Sequence, residues 1–328
     1  MTGKFDRYIG MARQDRKRHD HSAGNFSYNL GNMIISASYK TDIPALYGDW
    51  FINRLRVGFC RMTNPYNGKS YDVPLDNDSV DGFVFWTRNI GPFLPHLAEI
   101  RRLGYPFYVQ FTITGYPTEI DRAVPDAERM IRQFRQLSID YGHRCVVWRY
   151  DPIAITSITD REFHLSNFRH IARTLYGSTD EVVVSYPTLY RKTKRNLDKA
   201  AKQFDFQWRD VAPQEKRSLV SELADIAGQF NMRLTVCSQK AVHVQGVDGA
   251  RCVDAGRMSW MAGHDVTAKE MGNRPGCLCH QSRDIGAYDT CPHGCAYCYA
   301  VDDQAVAATR YREHDKTGAY LFPPMVKT

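Results

Sequence analysis

The chain has 328 residues, a formal net charge of +7 and 43% hydrophobic residues, enough for one large buried core, as one barrel or a barrel with a small appendage. No run approaches the about 18–20 uninterrupted apolar residues that a membrane span needs, and no apolar leader precedes a cleavage site. The nine cysteines, an odd number, fit a reducing compartment. We therefore expect a cytoplasmic protein without disulfides and without a membrane partner.

Six short segments predict strands that are buried on both faces, because they are β-branched or aromatic and almost continuously apolar. They are Met33–Ser38, Gly82–Thr87, Phe107–Thr114, Cys145–Tyr150, Glu181–Tyr186 and Arg233–Cys237. Helical patterns fall between them, at Pro44–Val57, Pro92–Leu103, Pro125–Tyr141, Asp160–Leu175 and Pro213–Phe230. This alternation predicts an α/β fold with a parallel sheet and right-handed crossovers.

The regular strand–helix units favour a partial or variant (β/α) barrel of about six parallel strands, with a Cys-rich C-terminal cap. A flat doubly wound sheet is the alternative, and one or two extra strands fit within Lys240–His264. We predict three parts: a flexible basic extension at 1–30, a (β/α) barrel-like domain at 31–250, and a Cys-rich cluster-binding segment at 251–328.

In a barrel, functional residues gather where each strand ends. That position gives the candidate catalytic residues Asp42, Arg149, Asp151 and Tyr190. It also gives the candidate cofactor-binding residues Ser38, Thr87, Gln110 and Arg149. Structural roles remain open, because Asp42 is equally suited to capping the helix that follows it, and Arg149 to pairing with Asp151.

A C-x3-C-x2-C run, formed by Cys291, Cys295 and Cys298, lies near the C-terminus. Three closely spaced thiolates can ligate three irons of a four-iron cluster and leave the fourth iron open. Gly294 favours a tight turn inside the run, because glycine tolerates positive φ. The alternative is structural zinc with His293 as the fourth ligand, although zinc sites usually pair two separate clips.

The run resembles the cluster motif of radical S-adenosylmethionine (SAM) enzymes, including the aromatic Tyr297 before the last cysteine. The resemblance implies a [4Fe-4S] cluster whose open iron is chelated by SAM, and one-electron cleavage of SAM to a 5′-deoxyadenosyl radical. It also implies that Tyr297 packs beside the adenine, that Arg149 and Asp151 contact the SAM carboxylate and ribose, and that flavodoxin or ferredoxin donates the electron. The superfamily carries this motif near the N-terminus. Phosphomethylpyrimidine synthases, another barrel family, place cluster cysteines at the C-terminus with different spacing.

The remaining cysteines divide into two groups. Cys60 and Cys145 stand in apolar or mixed surroundings and are predicted to be core residues. The other four, the full complement for a second, closed cluster, are Cys237, Cys252, Cys277 and Cys279. Because Cys237 ends a predicted strand, the barrel would bring these four together where the tail folds back. A zinc site or buried thiols are the alternatives.

Three longer stretches resemble an uncharacterised bacterial domain-of-unknown-function family. They are S-A-S-x-x-T-D-I-P-A at Ser36–Ala45, V-W-R-Y-D-P at Val147–Pro152 and S-x-D-I-G-A-Y-D-T-C-P-H-G-C-x-Y-C-Y at Ser282–Tyr299. The family brings no established activity. The resemblance implies a shared site built from the first strand, the fourth strand and the tail.

The basic run from Arg191 to Lys202 and the positive net charge suit either nucleic acid or a small anionic substrate. The sequence therefore predicts a radical SAM-type iron-sulfur enzyme with one or two clusters, acting on an unknown substrate. A zinc- or iron-sulfur-stabilised nucleic-acid-binding or repair protein and a non-catalytic iron-sulfur carrier are the alternatives.

Overall fold

Parallel strands form the main sheet of the protein, which a computed structural model describes at residues 32–64 and 67–323. In these ranges the strands are β1 Met33–Ala37, β2 Phe59–Thr63, β3 Ser70–Pro74, β4 Val80–Thr87, β5 Phe107–Thr112, β6 Val146–Tyr150, β7 Glu181–Val184, β8 Arg233–Val236, β9 Asp248–Gly249 and β10 Ser282–Asp284. Eight of them form one sheet in the order β10-β1-β4-β5-β6-β7-β8-β9, while β2 and β3 form a separate antiparallel pair. The protein is thus an α/β protein with a parallel main sheet.

Helices connect most of the strands. They are α1 Ile43–Leu46, α2 Gly48–Val57, α3 Leu94–Arg102, α4 Ala127–Tyr141, α5 Arg161–Thr174, α6 Arg191–Phe204, α7 Pro213–Gln229, α8 Ala255–Ala262 and α9 Gln304–Arg312. Side chains at the first turns stop several helices from fraying. Asp126 caps α4 by accepting a hydrogen bond from the Arg129 amide, and Asp160 caps α5 in the same way. Within the described ranges, no helix combines the length and apolar character needed to cross a bilayer.

All six predicted strands are confirmed, and the main sheet has two more. β9 lies inside the 240–264 window, whereas β10 and the β2–β3 hairpin were not predicted. The three residues of β10, Ser-Arg-Asp, carry no apolar pattern, and backbone pairing with β1 alone makes them a strand. Among the described residues the edge strands β9 and β10 do not pair with each other, so the sheet does not close into a barrel.

The Cys-rich tail enters the sheet, because β10 runs parallel to β1 with Ile34 opposite Ser282. The described residues, which begin at Asn32, belong to one compact unit. The predicted extension at 1–30 lies outside the described residues, and the boundary near residue 250 stays a prediction.

Two apolar layers cover the two faces of the sheet. Side chains alternate between them, as Phe83 and Phe85 of β4 pack in one layer and Val84 in the other. The larger layer contains residues of α1–α5 and α7, and the smaller one contains α8 and several cavity cysteines. This uneven distribution of helices disfavours the doubly wound alternative. Cys60 and Cys145 are buried in the larger layer, as predicted, and burial raises the pKa of both thiols to about 12.

His164 of α5 makes the stability of this core sensitive to acid. It is fully buried, with Nδ1 2.9 Å from the Tyr150 hydroxyl and Nε2 3.1 Å from the Ala154 carbonyl oxygen. Burial lowers its pKa from the ordinary 6.5 to about 4. Between these two pH values the unfolded chain binds a proton that the folded chain does not.

We therefore expect the free energy of unfolding to fall by about 3 kcal/mol as the pH drops from 6.5 to 4, and not to change through this group above 6.5. Urea unfolding of the wild type and of His164→Gln across this range checks the prediction. The variant should be less stable at neutral pH but lose less stability in acid. An equal acid loss in both proteins would assign it to other groups.

Candidate functional site

A cavity of about 480 Å³ lies where the strands of the main sheet end. Its wall includes residues directly after four strands: Ser38 after β1, Asp151 after β6, Ser185 after β7 and Cys237 after β8. In a parallel sheet these carboxyl ends meet at one edge, where α/β proteins usually bind ligands.

Nearly all the predicted site residues line this cavity. They comprise the three cysteines of the triplet, all four of the second set, and Ser38, Asp42, Thr87, Arg149, Asp151, Tyr190 and Tyr297. Gln110 is the exception. Its side chain is 1% exposed and donates to the Cys252 carbonyl oxygen at 2.8 Å, so it supports a cysteine rather than facing the cavity. The predicted residues from the first predicted strand (β1), the fourth predicted strand (β6) and the tail therefore line one cavity.

The loop of the triplet lies between β10 and α9 and is held by the loop that follows β5. The Ala296 amide donates to the Ile120 carbonyl oxygen at 2.9 Å, and the Ala123 amide donates to that of His293 at the same distance. Gly294 adopts φ +71°, as the predicted turn requires. A side chain there would also meet that of Arg122, because a Cβ atom would lie 2.9 Å from it.

A buried polar cluster lies against this loop. Arg88 Nη2 is 2.5 Å from Asp121 Oδ2 and 2.6 Å from Thr114 Oγ1, and Arg88 Nη1 is 3.5 Å from Cys295 Sγ. The Tyr297 hydroxyl donates to Asp121 Oδ1 at 2.8 Å. Burial disfavours the charge on Arg88, yet the Asp121 carboxylate holds its pKa well above the ordinary value. The cluster therefore fixes the ring of Tyr297 beside the triplet.

Asp42 joins the end of β1 to the triplet loop. One carboxylate oxygen caps α1 by accepting from the Ala45 amide at 2.9 Å, which confirms its capping role. The other accepts from the Arg88 amide at 2.7 Å and lies 3.0 Å from His293 Nε2. His293 Nδ1 faces the Ala123 carbonyl oxygen at 3.3 Å. Both ring nitrogens of His293 are thus engaged, which disfavours the zinc alternative with His293 as a ligand.

The second set of cysteines forms a chain of sulfur contacts at the wall of the same cavity. Cys252 Sγ lies 3.7 Å from Cys237 Sγ, and hydrogen bonds continue the chain to Cys279 and then to Cys277. The hydrogen bond from Cys279 lowers the pKa of Cys277 to about 6. The sequence grouped these four residues as one set, and all four line the cavity. With the side chains in these positions, the described ranges contain no group of three or more His, Cys, Asp or Glu residues that is arranged to hold a metal ion.

Two arginines donate to sulfurs of this set. Arg149 Nη1 is 2.9 Å from Cys252 Sγ, and Arg274 Nη2 is 3.2 Å from Cys237 Sγ. Arg149 also pairs with Asp151, which accepts from the Ser185 hydroxyl. A neutral thiol is a weak acceptor, whereas a thiolate or a cluster sulfide attracts a buried cation strongly. The donor set therefore fits a metal centre in its chemistry.

Sequence reasoning missed two buried acids that assemble the site. Asp121 organises the Arg88 cluster, and Asp284 of β10 accepts from the hydroxyls of Ser36 at 3.0 Å and Ser38 at 2.9 Å. Asp284 thereby joins the Ser36–Ala45 stretch to the tail and gives Ser38 a structural role. Asp284 lies in the Ser282–Tyr299 stretch that carries the family resemblance, but neither acid stands directly after a predicted strand, so strand-end position did not mark it.

Comparison with known proteins agrees with the whole-chain resemblance. No curated protein matches the chain, and no solved structure matches it. One family model, described as a domain of unknown function (DUF1848), matches residues 34–300. That range includes β1, the cavity and the whole cysteine triplet. The chain therefore belongs to the DUF1848 family of unknown function.

Proposed function

We propose that the protein is an iron-sulfur enzyme of the radical SAM type, with the cluster held by Cys291, Cys295 and Cys298. The observation that carries the proposal is that both cysteine sets line one cavity at the carboxyl ends of parallel strands. When bound there, a four-iron cluster with an open iron would supply the electron that splits SAM into methionine and a 5′-deoxyadenosyl radical. Flavodoxin or ferredoxin is the expected source of that electron.

The chemistry of the triplet supports a metal. Burial raises the pKa of Cys291, Cys295 and Cys298, so these thiols stay protonated at neutral pH until a metal ion binds them. Metal binding would release their protons and offset the cost of burying the thiolates. Arg88 adds a positive charge beside Cys295, where it would stabilise the cluster anion.

The cavity suits a polar cofactor next to the triplet. Its volume of about 480 Å³ falls in the usual range for small-molecule sites, roughly 300–1,000 Å³. Two of its residues carry buried polar atoms, Thr41 Oγ1 and Arg88 Nε, that have no hydrogen-bond partner in the described part of the chain. Such atoms favour a ligand with oxygen or nitrogen groups. We assign Tyr297, Ser38, Thr87 and Arg149 to the binding of SAM.

The second cysteine set supports an auxiliary metal centre, for which we propose a second cluster. Arg149 and Arg274 would each donate to a ligating sulfur and balance its charge. Asp42, Arg149, Asp151 and Tyr190 stay the candidates for positioning the substrate, because all four line the cavity that both cysteine sets line.

We also infer that the sheet curves as an incomplete barrel. Ser38 follows β1 and Cys237 follows β8, and these strands are five positions apart in the sheet. In a flat sheet, five steps of about 4.8 Å would separate them by about 24 Å. That both residues line one cavity of this size supports a curved sheet.

The test uses the full chain, purified and reconstituted without oxygen. We expect about four to eight irons per chain with matching sulfide, and 5′-deoxyadenosine after SAM and dithionite are added. Zinc without iron uptake would contradict the iron-sulfur assignment and favour a structural or nucleic-acid role. Iron without SAM cleavage, with dithionite present, would leave an iron-sulfur carrier and contradict the enzyme assignment.

A further inference from the structure

We propose that Lys40 and Lys192, which flank the ring of Tyr288 at the wall of the cavity, bind the anionic group of the substrate, a phosphate or a carboxylate. This proposal rests on the proposed function, because it assumes that a substrate enters the cavity beside the triplet. It names the substrate class that the sequence left open.

The two ammonium groups converge on one aromatic ring. Lys40 Nζ lies 5.6 Å from the ring centroid of Tyr288, and Lys192 Nζ lies 5.2 Å from it. All three residues line the cavity, and Tyr288 is 46% exposed, so the group is open to an incoming ligand. Lys40 also lies 5.5 Å from the ring centroid of Tyr39. The rings limit where each flexible lysine can place its charge.

The charges of the cavity divide into two groups. Among the described residues that line it, five cations face two carboxylates, and these are Lys40, Arg88, Arg149, Lys192 and Arg274 against Asp42 and Asp151. Each of the three arginines lies within hydrogen-bond distance of a cysteine sulfur. If the thiols ligate a metal, the positive charges of these arginines would therefore balance the negative charges of the thiolates. In the described ranges the two lysines make no hydrogen bond to a sulfur, so they are the two cations of the cavity wall that are not bonded to the cysteines, and Lys40 has one ion pair, with Asp284.

The two lysines differ in their carboxylate contacts, because Lys40 forms one ion pair and Lys192 forms none in the described ranges. In the described ranges Lys192 has no carboxylate partner. Lys40 Nζ is 3.4 Å from Asp284 Oδ1. The Asp284 carboxylate already accepts shorter hydrogen bonds from Ser36, Ser38 and the amide of Tyr39. An incoming anion would therefore compete with only one long ion pair.

Helix α6 holds Lys192 at a fixed place beside the triplet loop. Asn196 Nδ2 donates to the Val301 carbonyl oxygen at 3.0 Å, and Arg195 Nη2 is 2.7 Å from Asp302 Oδ1. Lys192 is the second residue of α6, and no side chain caps that helix start. An anion at Lys192 would thus lie against the segment that carries the proposed cluster.

The rest of the basic run does not share this position. Lys194 and Lys199 of α6 are exposed and do not line the cavity. They provide controls on the same helix that carry the same charge but are exposed and lie outside the cavity, so they report on a general basic surface.

The experiment measures binding of inorganic phosphate and, separately, of malonate to the reconstituted full chain by calorimetry. The ion with the lower dissociation constant shows whether the site prefers phosphate or carboxylate. We expect one site in the wild type, weakened at least about tenfold in Lys40→Gln and in Lys192→Gln. Lys194→Gln and Lys199→Gln should bind as the wild type does. Unfolding midpoints verify that every variant is folded.

Three results would overturn the proposal. The first is that neither ion binds at one site. The second is an equal loss in the control variants, which would indicate a diffuse basic surface such as nucleic acid uses. The third is displacement of the ion by SAM, because the lysines would then hold the SAM carboxylate. The measurement needs no reductant and no SAM cleavage, so failure of the radical chemistry would leave this readout unaffected.

Discussion

Replacing the triplet cysteines with serine is expected to remove about four irons per chain and to abolish 5′-deoxyadenosine formation. Serine is a poor ligand for cluster iron, since its hydroxyl is far less acidic than a thiol. The three residues stand on one loop, held to the chain by the Ala296 amide and the His293 carbonyl oxygen. We therefore expect each single variant, such as Cys298→Ser, to lose the same cluster. Iron and sulfide counts with product analysis measure the loss.

The two cysteine sets make the test selective. The double variant Cys237→Ser/Cys252→Ser should lose about four different irons and keep those of the triplet, if both clusters form. Cys145→Ala is the control, because Cys145 is buried in the larger apolar layer and does not line the cavity. Iron loss in Cys145→Ala equal to that in Cys298→Ser would show that general destabilisation, rather than lost ligation, removes the iron.

Arg88→Met is expected to lower the free energy of unfolding by about 3–5 kcal/mol. The Asp121 side chain is only 3% exposed, so the variant would leave its charge buried without its cation. Thr114 and the Tyr297 hydroxyl still donate to Asp121, but neither carries a compensating charge. Urea unfolding at neutral pH measures the change. Because Tyr297 is held by the same carboxylate, we also expect weaker cluster retention in this variant.

The double variant Arg88→Met/Asp121→Asn should recover much of this stability, because it removes both charges. Arg56→Met provides the control. Arg56 makes a two-pronged ion pair with Glu99 on the surface, where solvent screens the charges, so its loss should have a far smaller effect. A similar loss of stability in both single variants would mean that burial of the Arg88–Asp121 pair is not what makes it important.

The sequence predicted the central strands because their pattern is local. Continuous apolar runs such as those of β5 and β6 fit a strand buried on both faces in almost any α/β context. Cys60 and Cys145 were recognisable as core residues for the same reason. The two cysteine sets were recognisable from cysteine spacing and from elimination, and strand-end position indicated that they would line one cavity.

Only the tertiary structure determined how the tail joins the sheet and which side chains complete the site. β10 has no apolar signature, since its strand character comes from hydrogen bonds to β1, more than two hundred residues earlier in the chain. Asp121, Asp284 and Lys192 act through partners that are distant in sequence, and Gln110 turns out to support Cys252 from behind. The types of residue and their local periods determined the central strands and helices and the grouping of the cysteines. Long-range packing decided which charges are paired and which line the cavity without a close partner, because that depends on neighbours that no local pattern encodes.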